Sequence, residues 1–211
     1  METRIVRINP FVQPEMVEAI ASVYQQSFGG EPWNEGYLCP VCAKTFALTF
    51  NGKTCPMCAE RSRTVLLVEH WPKSKIVSDF YREMQKRDPV CFAALADGKV
   101  VGFTWGYSVN VDPDLDTHLD APNLHQLIEG DFFYLDECAV TPSHQRKGWG
   151  KWLVSCIIQE SRWERFLLRT MNDSPMCNLI KHKGGRIVQH ISRNRVIMRL
   201  LTAKSTRAQE P

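Results

Sequence analysis

The sequence lacks any apolar run near the roughly 18 residues that a membrane-spanning helix requires. It also lacks a long apolar signal region, since Met1 to Arg4 lead directly into a short strand-like segment. Neither charge sign dominates, because 26 Lys and Arg stand against 23 Asp and Glu, and a net charge of +3 does not by itself indicate nucleic acid. We therefore expect a soluble cytoplasmic protein that makes no contact with a membrane.

Cysteine, by contrast, is plentiful, and four of the eight cysteines form two similar pairs, Cys39-Pro-Val-Cys42 and Cys55-Pro-Met-Cys58. A spacing of two residues lets both sulfurs of a pair reach one ion, and four thiolates complete a tetrahedral site that suits zinc. No ligand position is left for water, so the Zn²⁺ is predicted to be structural. The remaining cysteines lie in apolar segments and are interpreted as reduced core thiols: Cys91, Cys138, Cys156 and Cys177.

Hydrophobic periodicity divides the rest of the chain into helices and strands. A helix is predicted over Pro14–Phe28, and Asp97-Gly98 joins two strand-like runs as a hairpin. Strand, helix and strand patterns follow from residue 132 onwards, which indicates a mixed α/β (α+β) architecture. We predict one domain formed by residues 1–35 and 63–201, a cysteine module over 36–62, and a loose tail over 202–211.

The clearest chemical signal lies between residues 132 and 150. A strand stops before Pro142, and the chain then enters a helix through Gln145-Arg146-Lys147-Gly148-Trp149-Gly150. The first turn of a helix has unpaired N–H groups and a positive dipole end, which together hold an anion. The two glycines allow close approach of a phosphate, and the two basic residues add charge, so the segment predicts a pyrophosphate cradle. The helix is predicted to turn Trp152 and Leu153 inward.

This segment resembles the acetyl-CoA signature of the GNAT superfamily, Gln/Arg-x-x-Gly-x-Gly/Ala after a strand ending in Ala-Val-x-Pro. The order of elements is similar over nearly the whole chain, apart from the cysteine module. The resemblance implies a mixed, mostly antiparallel sheet flanked by helices, interrupted by a small zinc-ribbon insertion, with acetyl-CoA as co-substrate. It further implies that backbone groups from Gln145 to Gly150 hold the pyrophosphate. The pantetheine arm would be bound by Cys138, Ala139, Val140 and Asn172.

Two acidic residues near the end of the same strand are candidates for the chemistry. Strand alternation is expected to place Leu135, Glu137 and Ala139 on one face and Asp136 on the other. The resemblance implies that Glu137 is the general base, with Asp136 as its substitute beside the substrate; alternatively, Glu137 only pairs with a neighbouring cation. Ile180 stands where the family often has a proton-donating tyrosine, which leaves the general acid unassigned.

Two features bear on the acceptor. Trp33 either lines the acceptor pocket or packs under the cysteine module. The segment between Val111 and Asp131 holds six acidic residues and no Lys or Arg, and it either attracts a cationic acceptor or is a solvated loop.

The sequence thus predicts an N-acetyltransferase that transfers the acetyl group directly to a primary amine, with a small molecule favoured over a protein as acceptor. An acyl-enzyme at Cys138 is one alternative. Another is a catalytically weak acetyl-CoA-binding module whose ribbon docks a protein or nucleic acid. A third is a protein acceptor docked by the ribbon. Nucleic acid is disfavoured because the basic residues of the module are few and dispersed: Lys44, Lys53, Arg61 and Arg63.

Overall fold

The structure is a computed structural model, and it describes residues 2–9, 11, 13–192 and 194–202. The part of the predicted tail after residue 202 lies outside the described residues. Within the described ranges no helix is both long and apolar enough to cross a bilayer.

A seven-stranded sheet forms the centre of the molecule, in the order β1-β5-β6-β7-β8-β10-β9. Its strands are β1 Thr3–Arg7, β5 Val90–Ala96, β6 Lys99–Val111, β7 Gly130–Val140, β8 Arg165–Met171, β9 Arg186–His190 and β10 Arg195–Leu201. Neighbouring strands are antiparallel except β7 and β8, which are parallel. The predicted fold class, a mostly antiparallel sheet flanked by helices, is confirmed.

Seven helices accompany this sheet in the described part of the chain: α1 Pro14–Phe28, α2 Pro56–Ala59, α3 Lys73–Glu83, α4 Pro113–Leu119, α5 Leu124–Leu127, α6 Trp149–Glu160 and α7 Pro175–His182. A separate sheet of three short strands contains β2 Tyr37–Leu38, β3 Thr45–Phe46 and β4 Val68–Glu69, in the order β3-β2-β4. The strand β4 that completes this small sheet lies beyond residue 62, the predicted end of the cysteine module.

The predicted hairpin is present. Asp97 and Gly98 both have positive φ, 48° and 77°, as a two-residue type I′ turn requires. Glycine satisfies this backbone without strain, and aspartate tolerates it better than most residues. The turn joins β5 to β6 and so begins the central antiparallel ladder.

The two faces of the sheet carry different helices. Helix α6 packs on one face through Leu153 and Ile157, while α1 and α3 pack on the other through Ile20 and Phe80. The expectation that Trp152 turns inward is wrong, because its side chain is 44% exposed. Residues four apart share a helix face, so Trp149, Leu153 and Ile157 form the buried stripe and Trp152 lies beside it.

The acidic segment between β6 and β7 is helical rather than an irregular loop. The Asp112 side chain caps α4 by accepting a 2.9 Å hydrogen bond from the Leu115 N–H. Leu115 is buried, and so is Asp116, whose carboxylate lies 2.6 Å from His125 Nδ1. Asp112 and Asp116 therefore stabilise the fold of this segment itself.

Candidate active site and metal centre

An irregularity in β7 determines which side chains reach the centre of the molecule. The ladder pairs Trp105 of β6 with Glu137 and Gly106 with Leu135, so Asp136 is an additional residue in β7. An extra residue of this kind is a β-bulge, and it shifts the phase of side-chain alternation by one position. Both acidic residues consequently line one cavity.

The bulge overturns one expectation from the sequence. Leu135 packs in the cluster beside α6, whereas Ala139 belongs to the cluster beside α1 and α3. Leu135 therefore does not share a face with Glu137 and Ala139. Strict alternation fails because it assumes one residue of β7 for each residue of β6.

The cavity has a volume of about 140 Å³ and lies on the α1 and α3 side of the sheet. Its walls combine aromatic rings with acidic and basic groups. The aromatic residues are Tyr24, Trp71, Trp105 and Tyr134. The acidic residues are Asp79, Glu83, Asp136 and Glu137, and the basic ones are Arg82, His118 and Arg169, with Ile76 completing the lining.

Glu137 is held beside a phenol in this cavity. The Tyr24 hydroxyl donates a 3.3 Å hydrogen bond to Glu137 Oε1, and Thr104 Oγ1 donates to the Glu137 backbone carbonyl at 2.9 Å. Burial, followed by the charges of Asp136 and Glu35, raises the Glu137 pKa well above its ordinary value. A carboxylate with a raised pKa is a stronger proton acceptor, which is the property a general base needs.

Asp136 has a similar environment. Its Oδ2 accepts a 3.2 Å hydrogen bond from Trp105 Nε1. Burial, and then the charge of Glu83, raises its pKa to about 6. No Lys or Arg of the described residues lies within ion-pair distance of Asp136 or Glu137. The two carboxyl groups thus form the unneutralised acidic part of the cavity.

Trp33 and Trp71 occupy different positions relative to this cavity. Trp33 packs edge-on against Phe28, with ring centroids 5.4 Å apart, and is not among the cavity-lining residues. Trp71 does line it, with its ring centroid 5.8 Å from that of Tyr24. Sequence reasoning missed Trp71, because its place in the cavity wall depends on contacts with residues distant in sequence.

One backbone edge of β7 is free beyond the cavity. Strands β7 and β8 pair only at Phe133 with Phe166 and at Tyr134 with Leu167. The ladder with β6 continues to Val140 on the other edge. The three residues predicted to bind the pantetheine arm, Cys138, Ala139 and Val140, lie beyond this pairing. Within the described chain no strand pairs with their edge towards β8, although the Val140 carbonyl is taken by the Gln145 side chain.

The loop after β7 presents unpaired donors. Backbone N–H groups from Arg146 to Lys151 donate to no group in the described ranges. Arg146 and Gly148 have positive φ, 60° and 86°, and a Cβ built at Gly150 meets nothing within 4 Å. The loop is tied back by Gln145 Nε2, which donates to the Val140 carbonyl at 3.1 Å. It could hold an anion in the manner of other helix N-termini.

The remaining predicted site residues do not line the cavity. Asn172 follows β8, and its N–H donates to the Asn194 carbonyl at 2.8 Å. Ile180 is 1% exposed and packs in the core beside α6. Burial raises the pKa of the Cys138 thiol to about 12, which keeps it protonated and disfavours an acyl-enzyme at this residue.

The four paired cysteines converge in the small sheet. Their sulfurs all lie within 4.8 Å of one another, with Cys39 Sγ 3.7 Å from Cys58 Sγ and Cys42 Sγ 3.6 Å from Cys55 Sγ. A tetrahedral ion with bonds of about 2.3 Å to sulfur needs ligand sulfurs about 3.8 Å apart, so the group could hold one zinc ion. Burial raises the pKa of the Cys39 thiol, but hydrogen bonds from the Cys42 and Val41 N–H groups outweigh it and bring the pKa to about 6.

Comparison with known proteins agrees with this geometry. The sequence model of the Acetyltransferase (GNAT) family matches residues 59–184, which is more than half of the chain. The chain therefore belongs to the GNAT acetyltransferase family. No curated protein matches the sequence significantly.

Solved structures share the fold at low sequence identity. The ribosomal-protein-S18-alanine N-acetyltransferase of Escherichia coli is 15% identical, with 95% of this chain and 94% of that chain covered and a TM-score of 0.52. PH1933 from Pyrococcus horikoshii is 14% identical over 95% and 99%, with a TM-score of 0.59. The PaiA N-acetyltransferase of Thermoplasma acidophilum, solved in complex with coenzyme A, is 14% identical over 95% and 99%, with a TM-score of 0.52.

Proposed function

We propose that the protein is an acetyl-CoA-dependent N-acetyltransferase that transfers the acetyl group directly to a primary amine, with Glu137 as general base. The main support for this proposal is that Glu137, half-buried beside Tyr24, lies one residue before the unpaired edge of β7. The base and the segment that would bind the acyl donor are thus adjacent in one strand. We also propose that the four-cysteine site holds one structural zinc ion.

Each part of the site has a distinct task in this reaction. Acetyl-CoA supplies the acyl group as a thioester, with its pantetheine arm along Cys138–Val140 and its pyrophosphate on the loop Gln145–Gly150. Asn172 is assigned a supporting contact to the same arm. The carboxyl groups of Asp136 and Glu137 attract an ammonium, and Glu137 takes the proton that frees the amine lone pair. Attack of the amine on the thioester carbonyl forms the C–N bond and breaks the C–S bond, and the released coenzyme A sulfur takes up a proton.

The cavity supports a small acceptor. A volume of about 140 Å³ accommodates a small amine or the end of a single side chain. Trp71 and Trp105 give the cavity aromatic walls, and the Trp71 ring already carries one cation, Lys75 Nζ, 3.9 Å from its centroid. We assign Asp136 to acceptor binding. The assignment of Trp33 to the acceptor pocket stays a prediction from the sequence, because Trp71 and not Trp33 lines the cavity.

A second function is favoured by a specific observation. Ile180, at the position of the proton-donating tyrosine, is sealed in the core, and the tips of the two cysteine turns expose apolar side chains, Val41 at 57% and Met57 at 42%. These features support a protein that binds acetyl-CoA but turns over slowly, with the ribbon docking a protein or nucleic acid. Absence of turnover with every amine, alongside tight acetyl-CoA binding, would favour this alternative.

Calorimetric titration with acetyl-CoA tests the donor site. Wild-type protein should bind, and Gly148→Glu should not, because the substitution places a carboxylate in the anion cradle on a left-handed backbone. Gly98→Glu is the matched control, since Gly98 has a similar φ and equally free space in the hairpin turn. Release of free thiol with butylamine, phenethylamine and a lysine peptide then tests transfer. Binding in neither wild type nor variant would contradict the proposal.

A further inference from the structure

The cysteine module and the following residues up to β4 and His70 form one segment, 36–70, whose two ends meet beside the active-site cavity. The His70 N–H donates to the Gly36 carbonyl at 3.0 Å, which closes the base of the small sheet. Glu35 immediately precedes this base and Trp71 immediately follows it. Two residues at the module's boundary are thus placed next to the catalytic cavity by the same backbone contact.

Both cysteine pairs are connected to this base by backbone hydrogen bonds. Cys39 directly follows β2, which pairs with both β3 and β4. The Cys55 N–H donates to the Val65 carbonyl at 2.8 Å, and the Leu67 N–H donates to the Lys53 carbonyl at 2.9 Å. The segment that leads to Trp71 is therefore paired along its length with the segments that carry the sulfurs.

Glu35 fixes the indole that forms the cavity wall. Its Oε2 accepts a 3.1 Å hydrogen bond from Trp71 Nε1, while its Oε1 accepts a 3.0 Å bond from Arg195 of β10. Gln25 of α1 adds a second anchor by donating to the Trp71 carbonyl at 2.8 Å and to Glu69 Oε1 at 2.6 Å. These hydrogen bonds hold the Trp71 ring against Tyr24, and Lys75 of α3 adds a cation–π contact 3.9 Å from the ring centroid.

We propose that the cysteine module positions the acceptor side of the active site, with Glu35 as the positioning residue that transmits metal loading to Trp71. Loss of the metal releases the base of the module, frees the Trp71 ring and weakens acceptor binding. The statement about acceptors rests on the proposed acetyltransferase function; the coupling of metal to Trp71 does not.

The acetyl-CoA-binding side of the site should be unaffected by loss of the metal. Within the described residues, no hydrogen bond or ring contact joins residues 36–70 to residues 138–152. Trp149 and Trp152 stack on each other, 5.6 Å apart, on α6, which packs on the opposite face of the sheet. These two rings therefore report on the donor side, and Trp71 reports on the acceptor side.

Fluorine NMR of zinc-loaded protein labelled with 5-fluorotryptophan tests the coupling without turnover. The chain has six tryptophans, and single Trp→Phe variants assign their signals. Zinc removal by a chelator, or the Cys42→Ser/Cys58→Ser variant, should shift or broaden the Trp71 signal and leave Trp149 and Trp152 unchanged. Glu35→Gln should move the Trp71 signal while zinc stays bound, whereas Glu60→Gln on the exposed side of the module should not.

Kinetics test the consequence for the acceptor. With butylamine as probe, zinc removal and Glu35→Gln should each raise the amine KM by about tenfold, the size of an ordinary coupling between sites. The acetyl-CoA Kd measured by calorimetry should change less than about twofold in the same samples. This split separates positioning from general loss of structure.

Two results would overturn the inference: no change in the Trp71 signal on metal loss, or equal changes in all six tryptophans. The first would make the module independent of the site, and the second would make it a general stabiliser. If butylamine is not acetylated by wild-type protein, the proposed function fails with that probe, but the fluorine signals still decide the coupling.

Discussion

The Tyr24 hydroxyl donates a 3.3 Å hydrogen bond to Glu137 Oε1 across 113 positions of sequence. The phenol is immobilised by ring contacts to Phe28 at 4.5 Å and Trp71 at 5.8 Å. Helix α1 therefore supplies, through Tyr24, a hydrogen bond to the proposed base on β7. The hydrogen bond favours the ionised carboxylate, and so it opposes the effect of burial on the Glu137 pKa.

Tyr24→Phe should shift the pH dependence of turnover. Without the phenol O–H the carboxylate loses a donor, so its pKa rises further and Glu137 becomes an active base only at higher pH. The acidic limb of kcat/KM against pH should move to higher pH, with acetyl-CoA binding retained. An unchanged limb, or one moved to lower pH, would contradict this role for Tyr24.

Asp136→Asn should have the opposite effect on that limb. The charge of Asp136 is the second cause, after burial, of the raised Glu137 pKa. Removing the charge lowers the pKa, so the acidic limb of kcat/KM should move to lower pH. A double variant with Tyr24→Phe should show partial compensation of the two shifts.

The same Asp136→Asn substitution should change how stability depends on pH. The Asp136 pKa is raised in the folded state from 3.8 to about 6, so its stabilising contribution is complete below pH 3.8 and is lost as pH rises through about 6. Relative to wild type, the variant should therefore gain about 2 kcal/mol in unfolding free energy between pH 4 and pH 8, from 1.36 kcal/mol per pKa unit, since at pH 4 the unfolded carboxyl is already partly ionised. Urea unfolding at both pH values measures the difference, and a difference that does not change with pH would rule out a raised Asp136 pKa in the folded state.

Glu137→Gln should reduce turnover by a factor on the order of 10² to 10⁴, the usual contribution of a general base. The amide keeps the shape of the side chain but cannot take a proton. Acetyl-CoA binding measured by calorimetry should remain close to wild type. Glu129→Gln, an exposed change in the acidic segment, serves as the control. Equal turnover in the two variants would show that Glu137 is not the base.

Elemental analysis should find one zinc per chain in protein purified without chelators. Cys42→Ser should lose the metal, because a three-thiolate site no longer completes the tetrahedron. Cys156→Ser removes a half-buried thiol outside the module and should retain one zinc. The melting temperature should fall in the first variant much more than in the second. A metal-free wild type of full stability would contradict the assignment.

Local patterns were sufficient for much of the fold. The bounds of α1, Pro14–Phe28, and of β5, Val90–Ala96, follow from periodicity and from flanking glycine and proline. The Asp97-Gly98 turn was predictable because its backbone requirement is local. The family was recognisable from the loop between β7 and α6, since the chemistry of a helix N-terminus is contained in a few consecutive residues.

Long-range features of the site could not be predicted. The Glu35–Arg195 contact joins residues 160 positions apart, and no local signal marks either partner. The bulge depends on the register between β6 and β7, which side-chain patterns alone do not determine. The place of Trp71 in the cavity wall depends on the way the two ends of segment 36–70 meet. The sequence alone offered Trp33, which was predicted either to line the acceptor pocket or to pack under the cysteine module.

The bulge in β7 also determines which residue of this strand is dispensable for folding. Leu135 pairs with Gly106 and Glu137 with Trp105, so deleting Asp136 alone would leave a regular ladder with every other side chain on its present face. Deleting a neighbour such as Tyr134 would instead exchange core and cavity faces on one side of the gap. Asp136 is thus the position where the strand tolerates a change in length, and losing it would cost the cavity a carboxyl group while leaving the core intact.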